Sequence, residues 1–293
     1  MPDAVQTILE KYPQYGYMLQ DPELRFLLVA ALNPDTGFDA ATFTNNLMKT
    51  NWWKTHSASQ RNFIQQTALD PASAERTVSQ KIDQLRNFAY EGGLMLTEPE
   101  LRWEATLAVG NGWSDQEAKR NLLWVAGTTG RSGQYAGSIG NNAQQVRSLA
   151  AQMAIPITDQ EVNTVANDIW MGQSTLDMAK TNFAQRAIHA YGMQNPELAQ
   201  ALNEGQTVRQ FLDPQIAAVA NTLEKSSDQI DLMNPKYAPL LNYTDSTGKL
   251  RMMTTSEASI WARSQKEYQY TKGGRDAAWS MVDTLSKALG ERK

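Results

Sequence analysis

Apolar residues recur along most of this chain at the spacing of an α-helix. Leu24, Leu27, Leu28 and Ala31 occupy positions i, i+3, i+4 and i+7, which lie on one face of a helix. This pattern predicts amphipathic helices that each bury one side. The same spacing returns in three later segments, at 162–169, 216–223 and 278–289.

The alternation of apolar and polar residues that is typical of a β-strand is nearly absent. The best candidate is "LLNYTDSTGKLRMM" at 240–253, where "DSTG" would form the turn of a short hairpin. We therefore predict an all-α protein of compact multi-helix modules built from helical hairpins. At most one small β-hairpin is expected, near 240–253.

Signals for helix starts and stops are frequent. The segments "SDQE" at 114–117 and "TDQE" at 158–161 have the pattern of a capping box, in which each of two side chains bonds the other residue's backbone N–H. Four further pairs place a capping side chain before a proline: Asp21-Pro22, Asp70-Pro71, Asn195-Pro196 and Asp213-Pro214. Glycines mark the predicted helix ends: "EGG" at 91–93, Gly172, Gly192, Gly205 and Gly290.

The hexapeptide "DPELRF" at 21–26 is nearly repeated as "EPELRW" at 98–103. After each copy the sequence predicts the same order: an apolar helix, a glycine next to an aromatic residue, a capping Asp or Ser, and a second helix. We therefore predict a duplicated helical hairpin, with 21–50 and 98–126 as its two copies. The alternative is convergence, because an acid, a proline and a Glu are by themselves a favourable helix start.

The stretch "GTTGRSGQYAGSIGNN" at 127–142 interrupts the helical pattern. It is rich in glycine and small polar residues, which is typical of a flexible connector. A phosphate-binding loop is the alternative, but it lacks a preceding strand and a following Gly-Lys-Ser/Thr. We predict an N-terminal helical domain at 1–127 with the duplicated hairpins, a Gly-rich connector at 128–142 and a C-terminal helical domain at 143–293.

Composition excludes several kinds of chemistry. The chain of 293 residues has a net charge of −4, which gives no basic excess for binding nucleic acid or an anionic membrane. It has no cysteine, so disulfides, thiolate catalysis and cysteine-bound zinc are excluded. The two histidines, His56 and His189, have no partner at the spacing of a metal site or a catalytic triad. We expect no cofactor and no metal.

Two glutamates are imaginable as the acid of a cell-wall hydrolase: Glu91, before two glycines, and Glu104, beside Trp103. Such an enzyme pairs two carboxyl groups and raises the pKa of one of them in an apolar pocket. The Glu-Ser-Gly signature of goose-type lysozymes and transglycosylases is absent from the sequence. We therefore expect both glutamates to be surface carboxylates, and we predict no catalytic residue.

Aromatic residues are frequent, and "TNWWKTHSASQRNF" at 50–63 is the most distinctive segment. Further on follow "VRSLAAQMAIPITDQEV", "VRQFLDPQIAAVANTLE", "NYTDSTGKLRMMTTSE" and "QKEYQYTKGGRDAA". In this order of landmarks the chain resembles helical virion-associated structural proteins of tailed bacteriophages, of the tail or internal virion protein type, which are well represented among actinobacterial phages. The resemblance covers most of the chain and carries over no catalytic or binding residue.

The resemblance implies a non-enzymatic minor structural protein of the virion, either an internal or ejection-type protein or a head–tail or tail component. Its expected partners are other virion proteins, with copies of itself as a further candidate. The alternatives are a peptidoglycan-active entry enzyme and a DNA-contacting internal head protein, although the net charge of −4 does not indicate nucleic acid. The resemblance implies location in the virion. We expect synthesis in the host cytoplasm, because neither a membrane-spanning run nor a signal-peptide pattern is present.

The helix that holds Phe43 and Leu47 suggests a subunit interface. At 100° per residue, Trp52 points about 160° away from these two residues and lies next to Met48. A helix with two apolar faces either lies centrally or docks on a neighbour. We take Met48, Trp52 and Trp53 as candidate interface residues. The alternative is that the helix ends just before the tryptophans and Trp52 folds back into the core.

Overall fold

The computed structural model describes residues 10, 13–31, 39–129 and 137–288. Contacts divide the chain into two compact units, Met1–Gly140 and Asn141–Lys293, and each unit is described by itself. Both are built of helices, and the one sheet among the described residues has two short strands. The prediction of an all-α protein with one small hairpin is confirmed.

The described part of the first unit is entirely helical. A 3₁₀-helix, Pro13–Leu19, precedes the α-helices. These are α1 Pro22–Ala31, α2 Ala40–Lys49, α3 Asn51–Thr55, α4 Ala58–Leu69, α5 Pro71–Gly92, α6 Glu98–Asn111 and α7 Asp115–Thr128. An eighth helix, α8 Ser138–Gln152, begins in this unit and continues in the second.

Two packed groups form the core of the first unit. Helix α5 packs along α6, and α4 contacts both of them, while α7 folds back on α6. A smaller cluster joins the 3₁₀-helix to α1 and α3, and its buried members are Met18, Leu24, Leu28 and Trp52. Burial of these large side chains is the main stabilising contribution that the packing makes. The larger group buries Val78, Ile82, Leu85, Leu101, Ala105, Leu122 and Val125.

The two copies of the repeated hexapeptide both start a helix, although Asp21 precedes α1 and Glu98 is already the first residue of α6. Each begins an α-helix that is followed by a second helix in contact with it. Leu24 and Leu101 are buried, whereas the aromatic residues two positions later, Phe26 and Trp103, are 77% and 67% exposed. The connection of the first copy, 32–38, lies outside the described residues. The superposition of the two hairpins therefore stays a prediction.

The second unit contains shorter helices and the hairpin. After α8 its α-helices are α9 Asp159–Trp170, α10 Leu176–Ala187, α11 Pro196–Asn203, α12 Val208–Phe211, α13 Asp213–Thr222, α14 Thr255–Arg263 and α15 Lys272–Ala288. A π-helix, Ile188–Gly192, extends α10, and 3₁₀-helices lie at Ser227–Gln229, Pro235–Leu240 and Lys266–Tyr270. Its largest fully buried side chains include Phe183, Leu198, Leu212, Ile216, Ile230 and Leu240.

The β-hairpin lies where the sequence predicts it. Strand β1, Tyr243–Thr244, pairs antiparallel with β2, Leu250–Arg251. The Asp245 carboxylate closes the turn by accepting the backbone N–H of Thr247 at 2.9 Å and of Lys249 at 3.1 Å. The Asn195 side chain accepts the N–H of Met252 at 3.0 Å, which fixes the end of the hairpin to the start of α11.

Several predicted caps are confirmed, two are wrong, and the predicted box at 158–161 is half formed: Thr158 caps α9, but the Glu161 carboxylate accepts from Arg186. Ser114 and Glu117 form the predicted capping box of α7, and Asp70 caps α5. Asn195 does not cap α11, because its side chain is engaged with the hairpin. Asp213 is already the first residue of α13, because the preceding helix α12 ends only two residues earlier.

The predicted Gly-rich connector at 128–142 is helical at both of its ends. Helix α7 extends through Thr128, and α8 begins at Ser138, so the end of the predicted connector is helical. The Ser138 hydroxyl donates to the carbonyl oxygen of Glu91 at 2.8 Å. Residues 130–136 lie outside the described part of the chain. The division between the two units, after Gly140, falls within the predicted segment.

Candidate protein-protein interaction surface

The structure does not place the three predicted interface residues on one exposed face. Met48 is 48% exposed, Trp53 is half-buried, and Trp52 is only 9% exposed within the core cluster of the first unit. The predicted continuous helix is wrong, because α2 ends at Lys49 and α3 begins at Asn51. Trp52 is therefore a core residue, and the alternative in which it folds back describes its position.

A single threonine causes this break. The Thr50 hydroxyl donates to the carbonyl oxygen of Leu47 at 2.6 Å and accepts the N–H of Trp53 at 3.1 Å. Threonine competes for backbone hydrogen bonds in this way and favours a helix start over a helix interior. The turn redirects the chain, so the 100° progression along one helix does not apply to Trp52.

The distinctive segment at 50–63 is a structural cluster. The rings of Trp52 and His56 stack with their centroids 4.8 Å apart. The centroid of the Tyr17 ring lies 5.7 Å from that of Trp52. The Arg61 guanidinium lies 3.8 Å from the centre of the Trp53 ring and donates to the Trp53 carbonyl oxygen. These contacts are a cation–π interaction and aromatic packing, which stabilise the local fold.

Glu104 is not the surface carboxylate that the sequence predicts. It lies on the inner face of α6 and is only 4% exposed, and its Oε2 atom is buried with no hydrogen-bond partner among the described residues. Burial raises the pKa of this carboxyl, because the charged form loses its hydration. Glu91, by contrast, is exposed near the end of α5.

Burial separates Glu104 from any substrate. A general acid must reach the atom that it protonates within hydrogen-bond distance, or through one water molecule. A perturbed pKa marks a candidate for catalysis, but structural positions perturb pKa values too. Glu104 therefore has a raised pKa but lacks the access to substrate that catalysis needs.

Helix α15 carries four of the exposed large apolar residues of the second unit. Trp279, Met281, Val282 and Leu285 are 72%, 66%, 51% and 54% exposed. At 3.6 residues per turn, these four and Ala278 fall on one face that covers about 160° of the helix circumference. The sequence identified the spacing of this face. It could not tell that the described residues leave the face exposed.

The N-terminus of α15 is firmly attached to the second unit. The Glu224 carboxylate accepts the backbone N–H of Lys272 at 2.7 Å and of Gly273 at 3.3 Å, so an acid sits at the positive end of the helix dipole. The Thr271 hydroxyl accepts the N–H of Gly274 at 2.9 Å. A Cβ atom at Gly274 would overlap the carbonyl oxygen of Tyr268, so this position requires glycine.

The combination defines an anchored helix with an exposed apolar face. Its opposite face carries Asp276, Ser280, Asp283 and Thr284, all of which are exposed. We name the exposed residues Ala278, Trp279, Met281, Val282 and Leu285 the α15 face. A contiguous apolar patch of this kind is a mark of an interaction site, since single exposed apolar residues are common but patches are not.

Two further findings limit the kinds of site present in the described residues. No helix there has both the length and the apolar character that are needed to cross a lipid bilayer. The described residues also contain no group of three or more His, Asp or Glu side chains placed to hold a metal ion.

Comparisons with protein-family models, with curated proteins and with solved structures give no match to this chain. The functional interpretation therefore depends on the geometry of the α15 face and on the order of sequence landmarks quoted above.

Proposed function

We propose that this chain is a non-enzymatic minor structural protein of a tailed-phage virion, which works by protein–protein contacts made through the α15 face. The observation that carries the assembly role is the exposure of this face on a helix whose N-terminus is fixed. The phage setting is supported by a resemblance to structural proteins of tailed phages. That resemblance lies in the order of the landmark segments, which run from 50–63 to the C-terminal "QKEYQYTKGGRDAA". The proposed location is the virion, as an internal, ejection-type, head–tail or tail component.

The physics of the α15 face favours docking. Exposed apolar area has an unfavourable free energy in water of about 25 cal/mol per Å², and this is recovered when a partner covers it. Tryptophan is enriched among residues that dominate binding energy, and Trp279 supplies a large apolar side chain of this kind. An amphipathic helix that presents such residues at i, i+3 and i+4 is a recurrent mode of protein recognition.

The charges of α15 favour a protein partner over a lipid surface. Helices that lie on anionic membranes carry mainly Lys and Arg on the polar face. The polar face of α15 carries Asp276 and Asp283, and the whole helix has two acidic residues beside three basic ones, so it lacks a strong basic excess. Anionic lipid would repel these side chains, whereas an apolar groove on a protein has no such requirement.

The test of this function is detection of the protein in intact particles. Purified virions of the phage that encodes the chain should contain it at a fixed copy number by quantitative mass spectrometry. Antibody labelling should place it at one position in the particle. Its absence from particles that otherwise contain all tail and head proteins would contradict the proposal.

A second candidate function is cell-wall hydrolysis, and the raised pKa of Glu104 is the observation that favours it. The assay is turbidity loss of purified cell walls with the full chain and with Glu104→Gln. Hydrolysis by the wild type that is abolished in the variant would establish this function. The burial of Glu104 leads us to expect no hydrolysis from either protein.

A further inference from the structure

The spacing within the α15 face matches the seam of a paired helix. Ala278, Val282 and Leu285 follow one another at intervals of four and three residues, which is the spacing of the apolar positions of a coiled coil. Trp279 and Met281 lie on the two sides of this line. The face therefore fits another helix of similar length, rather than a flat surface.

We infer that the occupant of the α15 face is the same face of a second copy of this chain, with the two helices antiparallel. This inference rests on the proposed assembly function and names its partner. Between 278 and 286 the edges of the face are formed by Trp279, Met281 and Ser286, none of which carries a charge, and the charged Arg275 lies only at its N-terminal end. Two copies can therefore meet over 278–286 without the repulsion between like charges that would separate identical charged surfaces, provided that the two Arg275 side chains are kept apart.

Side-chain size decides the direction of pairing. An antiparallel pair with its two-fold axis between Met281 and Val282 puts the small Ala278 opposite the large Leu285 of the second copy. Alternation of small and large residues fills the space between two helices. A parallel pair in register would put Ala278 opposite its own copy and leave a gap.

The charge of Arg275 also favours antiparallel pairing. Arg275 lies three residues before Ala278, on the line of the seam. Parallel pairing would bring the two Arg275 side chains together, which costs free energy. Antiparallel pairing separates them by about 20 Å along the helix axis, at a rise of about 1.5 Å per residue.

The size of the face predicts a weak dimer. A tryptophan side chain carries up to about 250 Å² of surface, so the exposed part of Trp279 is on the order of 180 Å². The four large residues of one face expose at most about 500 Å², so two faces bury less than the roughly 1,200 Å² at which specific interfaces begin. The dimer should dissociate on dilution and gain strength where many copies are held together.

The first experiment is sedimentation velocity of the full chain over a wide concentration range. The mass should rise from 32.7 kDa towards twice that value. Leu285→Asp should remain monomeric at every concentration. The matched control is Thr284→Asp, which adds the same charge one residue away on the exposed polar face and should dimerise like the wild type.

The second experiment determines the direction. The chain has no cysteine, so single cysteines introduced at 278 and 285 report only on this contact. A mixture of Ala278→Cys and Leu285→Cys chains should form the mixed disulfide under mild oxidation. A predominant disulfide between two Ala278→Cys chains would overturn the antiparallel arrangement.

A wild type that stays monomeric at all concentrations would overturn self-pairing. If the monomer is still found in intact particles, the assembly function stands and the partner is a different protein. If it binds vesicles of anionic lipid and is absent from particles, both inferences fail. The particle and sedimentation measurements thus separate the two failures.

Discussion

The carboxylate of Glu23 accepts the backbone N–H of Asn51 at 2.9 Å, across 28 residues of chain. The acid of the first repeated hexapeptide thus caps α3, the helix that carries Trp52. In the second copy, Glu100 accepts the N–H of Thr97 at 2.7 Å and caps its own helix, α6. Both copies of the repeat thus start a helix and bury a leucine. Their equivalent glutamates, Glu23 and Glu100, make different contacts.

Trp52→Ala should destabilise the isolated protein strongly. A buried aromatic residue that is truncated to alanine leaves a cavity and costs about 3–5 kcal/mol of unfolding free energy. Urea unfolding followed by circular dichroism measures this loss. Met48→Ala is the matched control, because the Met48 side chain is about half exposed, and its effect should stay within about 0.5 kcal/mol. Equal, small effects of the two substitutions would show that Trp52 is not a core residue.

Glu104 should make the protein less stable as the pH rises. Its pKa in the folded state is raised above the usual 4.5, so the folded state binds more protons than the unfolded state in the window above 4.5. The stabilisation that this group contributes to the folded state is fully present below pH 4.5, and it is lost as the pH rises through the raised pKa. Glu104→Leu should remove this dependence and be more stable at pH 7.

The control for Glu104 is Glu91→Leu, since Glu91 is exposed. Urea unfolding of wild type and both variants at several pH values between 4 and 8 makes the comparison. The account fails if Glu104→Leu is less stable than the wild type at pH 7 and follows the same pH dependence.

Glu257 should behave in the opposite direction. Hydrogen bonds from the Arg251 side chain, at 2.6 and 2.8 Å, and from the Thr254 backbone lower the pKa of this carboxyl to about 2. The folded pKa is depressed, so the stabilisation is present above the usual 4.5 and is lost as the pH falls towards 2. Glu257→Gln keeps a capping side chain at the same position but loses the ion pair. Its stability deficit at pH 7 should shrink at pH 3, and a deficit that does not change with pH would refute the assignment.

Gly274→Ala should loosen the attachment of α15. The new methyl group would overlap the carbonyl oxygen of Tyr268, so the first turn of the helix must shift. Gly273→Ala is the matched control, because its Cβ would lie 3.6 Å from the nearest atom, the Tyr268 hydroxyl oxygen, and Ala is favoured over Gly in a helix by about 0.5–1 kcal/mol. Hydrogen exchange of the amides at 272–276 should speed up in the first variant only. Equal exchange in both would mean that Gly274 is not required.

Local signals predicted much of the fold. The hairpin near 240–253, the capping box at Ser114 and the cap at Asp70 depend on residues within a few positions of one another, and all three are confirmed. Burial was harder to predict, because it depends on which helix packs where. Glu104 shares a helix face with Leu101 and Ala108, and this spacing placed it inside, although Glu is normally a surface residue.

The candidate interface shows the same limit. The hydrogen bond from the Thr50 hydroxyl to Leu47 lies at the end of α2, where the chain turns and places Trp52 in the core. Helix periodicity in the sequence does not predict such a turn. The spacing of Ala278, Val282 and Leu285 was visible in the sequence. Whether another helix of the same chain covers these residues depends on tertiary packing. Only the structure therefore shows that the α15 face is exposed.

The central claim is that the α15 face serves assembly and not the folding of the single chain. The most direct measurement is the amount of Leu285→Asp protein in purified particles, relative to Thr284→Asp protein, after replacement of the wild-type gene. Both variants should melt at the wild-type temperature as monomers, and only Leu285→Asp should be lost from particles. Incorporation of Leu285→Asp at the level of Thr284→Asp would contradict the claim.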